Sequence, residues 1–377
     1  MEPSPRRRVL LVIAGLPAGG AERQMSLLAK GLDRSQFEVG LLIFNSADKI
    51  HYRDVLESPL WFRALNLSPS KDGLMLVPRL ISGVNKAIKD WQPDLVHTCL
   101  NVANHATRIS SVIYRWRIPV VTSVRADFRN GYSSQDRIFE RLLWRKSAYI
   151  ICNSEASEKQ LVADLGIPDS RILTIKNGIE EKFFSEDSVV PPDWWPKGKT
   201  CLLVARFKKD KNHLELIAAI KYLQDQKNLG DWHFVFVGEG PFKKDIEDAI
   251  QQAEIGDRVV LTTPVENLIP YYRAADVFIL PSLNEGLSNV LLEAQASRLP
   301  IIVTHEANRA GAVNPENAYF ITARGFGPEL ATALSADPND RIERGNRISN
   351  DIRNRYRVEN MVESTSTVWK HALEHHE

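Results

Sequence analysis

Short apolar runs recur along the chain, each followed by a longer stretch in which apolar positions return every three or four residues. Runs rich in Val, Ile and Leu without polar alternation form strands buried on both faces. Their alternation with helical stretches predicts parallel sheets covered by helices. In the first half the expected strands are Val9–Ala14, Glu38–Phe44, Leu95–Thr98, Val120–Val124, Tyr149–Asn153 and Ile172–Lys176, with helices such as Ala21–Leu32 and Glu155–Leu165 between them. The pattern breaks over Ser185–Lys199, where the adjacent prolines of SEDSVVPPDWWPKGK suit neither a helix nor a central strand. It resumes with Cys201–Ala205, His233–Val237, Val259–Leu261, Val277–Leu280 and Ile301–Thr304, and beyond Arg341 it reads as charged and helical. A chain of 377 residues also exceeds the size at which one core stops growing. The expectation is an α/β protein of two doubly wound, Rossmann-like domains, 1–185 and 200–350, joined by a linker at 186–199 and followed by a terminal stretch, 351–377. Two such domains leave a cleft, and ligands of doubly wound sheets sit outside the carboxyl ends of strands.

Composition narrows the class. With 44% hydrophobic and 25% charged residues the chain reads as a soluble globular enzyme, neither disordered nor fibrous. A net charge of +1 gives no support to nucleic-acid binding. Cys99, Cys152 and Cys201 lie far apart and form neither a disulfide framework nor a zinc motif. The apolar run Val9–Ala14 after the basic first residues is too short for a leader or a span, so a cytoplasmic location is expected. Charge is uneven locally, since His105–Lys146 carries nine Arg and Lys against three acids. Within it, RIFERLLWRK interleaves Ile138, Phe139, Leu142, Leu143 and Trp144 with cations. Such a stretch either lies on an anionic membrane surface, making the protein peripheral on the inner face, or packs its apolar stripe inside. The terminal HALEHHE reads as a frayed polar tail without function.

Several residues carry candidate chemistry. In ARFKKDKNHLELI, Arg206 follows a strand end and Lys211 stands near a helix start, so two cations converge with backbone N–H groups, as a pyrophosphate requires. The bland alternative is a solvated basic loop. In PSLNEGLSNVLLEAQAS, Glu285 and Glu293 are eight residues apart. Gly286 permits a tight turn through Leu287 and Ser288, where backbone can approach a ligand. Glu285 then offers a carboxylate to sugar hydroxyls and Glu293, on the helix, suits a vicinal diol such as ribose. Both acids are also explained by a helix dipole, Glu285 better than Glu293. In the first domain Gly19 and Gly20 give a flexible loop before a helix whose N–H groups suit a phosphate oxygen, with Glu22 in its first turn. These glycines do not form the dinucleotide fingerprint, so a nicotinamide site is unsupported. No D-x-D motif occurs, so no metal-bridged diphosphate and no metal cofactor are expected.

The spacing of Glu285 and Glu293, the upstream VARFKKDKN, VFVGEGP with Gly238 and Gly240, and IKNGI with Asn177 and Gly178 together resemble the retaining glycosyltransferases of family four. The resemblance runs from the Gly-rich first loop to Thr304. It implies a GT-B fold, with two Rossmann-like domains facing across a cleft and a last helix crossing back to the first domain. It also implies that a nucleoside diphosphate sugar, UDP-linked in preference to GDP-linked, binds mainly on the second domain. By the same resemblance Arg206 and Lys211 match the pyrophosphate pair, Glu293 the ribose ligand, Glu285 the donor-sugar contact, and Gly240 and Pro241 the loop near the base. The implied reaction moves a hexosyl or N-acetylhexosaminyl group to a glycan or lipid-linked acceptor. On the acceptor side stand Glu22, His97, Arg125 and Asp127, the last expected to orient the attacking hydroxyl. Two departures stand out. Arg125, in VTSVRADFR, occupies a position where many members carry histidine, and HEANRAGAVNPEN lacks the family's paired glycines. Two other functions use the same donor residues, a sugar-nucleotide epimerase and a non-catalytic sugar-nucleotide-binding protein.

Overall fold

Val9, Leu11 and Ile13 point into one apolar layer while Leu10 and Val12 point into another, and all five are fully buried. That double burial is why the run contains no polar position. In the computed structural model, which describes residues 5–17, 19–45, 54–58, 60–187, 189–265 and 267–375, the apolar runs assemble into two parallel sheets.

The first sheet comprises β1 (Arg7–Ile13), β2 (Phe37–Ile43), β3 (Trp61–Ala64), β4 (Leu95–Cys99), β5 (Val120–Val124), β6 (Tyr149–Cys152) and β7 (Ile172–Thr174), in the order β3-β2-β1-β4-β5-β6-β7. The second comprises β8 (Lys199–Val204), β9 (Trp232–Val237), β10 (Val259–Thr262), β11 (Val277–Leu280), β12 (Ile301–Thr304) and β13 (Tyr319–Ile321), in the order β10-β9-β8-β11-β12-β13. Both are doubly wound, as expected. Strands β3 and β13 escape sequence reading because each is short and only partly buried.

The chain divides into two compact units, one of residues 1–178 and 358–377 and the other of residues 179–357. The expected linker 186–199 therefore lies inside the second unit. Phe183 and Phe184 are already core residues there, the Ile179 amide bonds the Tyr356 carbonyl at 2.7 Å, and Trp194 and Trp195 pack on Tyr271. Aromatic burial overrides the loop signal of the prolines. The terminal stretch also divides. Helix Pro338–Arg353 belongs to the second unit, whereas helix Val358–Glu374 covers the first. It docks closely on helix Gly20–Gly31, where a Cβ on Gly31 would lie 2.8 Å from Val362. Its Trp369 is fully buried and donates from Nε1 to His97 Nδ1 at 3.1 Å. The helix persists through Glu374, so His371 to Glu374 are not a frayed tail; His376 and Glu377 lie outside the described residues.

Two helices of the first unit are joined by a buried ion pair. Arg108, on helix Asn101–Ile113, is fully buried and grips both oxygens of Glu140, on helix Ser134–Leu143. His105 approaches the same carboxylate at 3.2 Å. The second helix starts with a capping box between Ser133 and Asp136. The apolar stripe Ile138–Trp144 is divided: Trp144 is buried and Leu143 half-buried, whereas Ile138 is 59% and Leu142 68% exposed and Phe139 is exposed as well.

Burial alone would push the Glu140 carboxyl up, but Arg108 and His105 bring it down to about 2 from the ordinary 4.5. A carboxyl lowered on folding contributes its full stability above its unfolded value and loses it as pH falls towards the folded one. Glu140→Gln, which leaves Arg108 buried without its counter-charge, is expected to cost ~3–5 kcal/mol. Urea unfolding followed from pH 7 towards pH 2 checks this: the variant should start with a lower midpoint and lack the wild type's loss of pair energy below pH 4.5.

Candidate functional site

Each sheet reverses its strand order once, between β1 and β4 in the first and between β8 and β11 in the second. At such a reversal the loops leaving the carboxyl ends run to opposite sides and open a crevice. In the second unit the β8 loop makes one 3-10 turn, Lys209–Lys211, passes through Asn212 at φ 62°, and enters helix His213–Asp225. The β11 loop runs beside it, and the Leu283 amide bonds the Asp210 carbonyl at 2.8 Å.

This bond sets the two loops in register, and Lys211 Nζ then meets Glu285 Oε1 at 2.8 Å and Asp210 Oδ2 at 3.4 Å. The two side chains are only 16% and 14% exposed. Burial by itself would favour the neutral amine, but the carboxylates of Glu285 and Asp210 outweigh it and hold Lys211 above its ordinary pKa. Arg206, at the start of the same loop, is exposed and has no ion pair among the described residues.

A third loop, after β9, lies on the backbone of the first. The Phe207 amide bonds the Glu239 carbonyl at 2.9 Å, and the Phe242 amide bonds the Phe207 carbonyl at 3.0 Å. A Cβ on Gly238 would stand 2.0 Å from the Ala205 carbonyl, and one on Gly240 2.4 Å from that of Phe207. Only glycine permits this approach, which leaves Pro241 exposed beside it.

Gly286 turns the chain into helix Asn289–Ala296, past the buried Leu287 and Ser288. Ser288 makes no side-chain cap bond, and Glu293 is not a solvated first-turn acid: it is 2% exposed, with Oε2 accepting from the Tyr272 hydroxyl at 3.0 Å. Sequence reasoning did not anticipate Tyr272, Asp210 or His213. His213 stands edge-on to Phe207 and Phe236, and burial, with Lys211 second, lowers it to about 4. Its position two residues beyond Lys211 was the one available signal.

The first unit redistributes the acceptor-side residues. Gly19 caps helix Gly20–Gly31, and Glu22 folds back over it so tightly that a Cβ on Gly19 would lie 2.2 Å from Glu22 Oε2. Arg125 Nη1 bonds Asn177 Oδ1 at 2.9 Å. His97, expected on the acceptor side, lies in the core of the unit. It is fully buried, accepts from Trp369 at Nδ1, and therefore donates from Nε2 to Ser123 Oγ at 2.8 Å. Burial, with Arg125 second, lowers it to about 3, so it is neutral. Asp127 is 4% exposed, and its Oδ1 takes the Arg129 amide at 2.9 Å while its carbonyl takes the Gly131 amide at 2.7 Å. These two bonds make a local cap on Phe128–Gly131.

The sequence matches the family model described as Glycosyltransferase Family 4 over residues 18–183 and the one described as Glycosyl transferases group 1 over residues 198–336. Among similar proteins is the N-acetylgalactosamine-N,N'-diacetylbacillosaminyl-diphospho-undecaprenol 4-alpha-N-acetylgalactosaminyltransferase of Campylobacter jejuni, 27% identical over 311 residues, 80% of this chain and 81% of that one. Another is the UDP-Gal:alpha-D-GlcNAc-diphosphoundecaprenol alpha-1,3-galactosyltransferase of Escherichia coli, 26% identical over 73% of each chain. The fold is similar to that of Anabaena Alr3699/HepE, solved with UDP and glucose, with a TM-score of 0.79 and 19% identity over 97% of this chain and 100% of that one. The two doubly wound units are thus the two Rossmann-like domains of a GT-B protein.

Glu285→Gln removes the carboxylate that does most to hold Lys211 protonated, leaving burial to draw its pKa down against Asp210 alone. A cationic site is lost as pH rises through the folded pKa, so the variant's affinity for UDP should fall at a lower pH than the wild type's. Calorimetric titration across the alkaline range checks this, and coincident profiles would separate Lys211 from the diphosphate.

Proposed function

From the premise that the chain belongs to the group 1, family-four glycosyltransferases, we propose that it transfers a hexosyl or N-acetylhexosaminyl group from a UDP-sugar to a lipid-linked or glycan acceptor, with retention at the anomeric carbon. One observation carries the donor side: Lys211 and Glu285 meet at 2.8 Å on the two loops that diverge at the second sheet's order reversal. A cation held there by backbone bonds and a half-buried carboxylate is oriented before any ligand arrives. Such preorganisation favours the charge that grows on a departing diphosphate. Arg206 adds a second cation, and together they substitute for a metal ion, so activity should persist in a chelator. Glu285 faces sugar hydroxyls and Glu293 the ribose.

The relatives' names support the substrate class. The Escherichia coli protein is named for UDP-Gal, and both relatives are named for acceptors carried on diphospho-undecaprenol. A lipid-linked acceptor also suits the exposed Ile138, Phe139 and Leu142, interleaved with Arg137 and Arg141, as a peripheral contact with an anionic membrane.

Lys211→Ala is expected to depress transfer and the slow hydrolysis of donor by water together, each by about 10²-fold. Both rates are measured by release of UDP with and without acceptor. Hydrolysis at the wild-type rate would overturn the placement of the diphosphate. For the membrane contact, Ile138→Ser/Leu142→Ser should sediment less with phosphatidylglycerol vesicles at low salt than the wild type. Equal sedimentation would remove this face from the contact.

A further inference from the structure

The cations concentrated between His105 and Lys146 do not stay together in the fold. Arg108 is buried against Glu140, Arg125 bonds Asn177, and Arg129 makes a two-pronged pair with Asp164 at 2.7 and 2.8 Å. Arg115, Arg145 and Lys146 go elsewhere. With Arg171, His375 and Trp116 they line a groove of about 710 Å³ in the first unit. It lies where β5 and β6 begin, at Val120 and Tyr149, and at Arg171 just before β7, and so at the end of the sheet opposite the carboxyl-end loops.

The groove differs from ordinary basic surface in three respects. Its lining holds five basic residues and no carboxylate. Among the described residues Arg115, Arg145 and Lys146 have no acidic partner, so no carboxylate neutralises them from outside the lining either. Arg171 is pinned in place by bonds to the Ser147 and Ala148 carbonyls, which use two of its five donors and leave a fixed guanidinium. Arg115 stands just past helix Asn101–Ile113 at φ 50°, a left-handed position that glycine usually occupies and that costs another residue ~1 kcal/mol. Its exposed side chain gains no packing to offset that cost.

Like charges gathered without counter-charge repel one another, and an anion seated among them removes the repulsion. The volume suits a ligand of nucleotide or sugar-phosphate size, and Trp116 and Tyr149 add aromatic surface. We propose that this groove is a second ligand site, for a phosphate-bearing anion of two or more negative charges, separate from the site of the transferred sugar. The phosphate belongs either to a free ester or to a lipid headgroup.

The test uses the full chain with saturating UDP, so that the donor site is filled. Inorganic pyrophosphate is titrated calorimetrically, and sedimentation is measured with phosphatidylcholine vesicles containing phosphatidic acid. Arg115→Ser/Lys146→Ser alters two exposed side chains and should weaken at least one of these interactions about tenfold or more. Loss in the pyrophosphate arm identifies a free ester, and loss confined to the vesicle arm identifies a headgroup. Lys211→Ala should leave the groove's binding intact. The proposal is overturned if neither interaction depends on Arg115 and Lys146, or if pyrophosphate binding disappears in Lys211→Ala, which would place it at the donor site.

Discussion

A parallel sheet has no face that tolerates water, because its crossover connections place every strand between layers, and this constraint organises the whole molecule. In the first unit, helices Leu76–Trp91 and Asn101–Ile113 cover the side reached by Leu10, Val12 and Val96. The opposite side, reached by Val9, Leu11, Ile13 and Leu95, is covered by helix Gly20–Gly31 and by the last helix of the chain. Trp369 supplies much of that cover, edge-on to Phe37 and His97 at about 5.5 Å. A core built this way needs both ends of the sequence. The first unit is therefore discontinuous, and the chain changes units at 178/179 and again at 357/358.

The same constraint confines polar chemistry to loops at strand ends. Lys211 reaches Glu285 only because β8 and β11 are neighbours in the sheet, although the two residues are 74 positions apart in sequence. The backbone bond between Leu283 and Asp210 then removes freedom that the side chains would otherwise lose on pairing. The pair is balanced between opposing terms. Desolvation opposes the ammonium, and two carboxylates restore it. A group poised in this way carries its charge without reorganisation.

Electrostatics also divides the first unit between its ends. The buried Arg108–Glu140 contact fixes helix Ser134–Leu143 with Ile138, Phe139 and Leu142 outward, so a helix that reads as amphipathic presents part of its apolar stripe to the outside. At the amino ends of β5 to β7, cations collect without acids, and the neutral His97 and the capped Asp127 belong to the interior between.

Much of this was legible in the sequence. Uninterrupted Val, Ile and Leu runs determine parallel strands, since no other element buries such a run on two faces, and the motifs around Arg206, Lys211, Gly240, Glu285 and Glu293 carry the resemblance to the family. Helix Glu155–Leu165 was located to the residue for a similar local reason, with Ser154 capping one end and Gly166 the other. Tertiary structure alone decided which residues face inward. His97 lies in the middle of β4, and its partner there is an indole 272 positions away, while Asp127, beyond β5, takes the amide of Arg129. The prolines before Trp194 and Trp195 signal a linker until Tyr271 packs on the tryptophans. Periodicity records which positions are apolar, a local property. Exposure depends on what lies across the sheet, and that partner is supplied by residues remote in the chain.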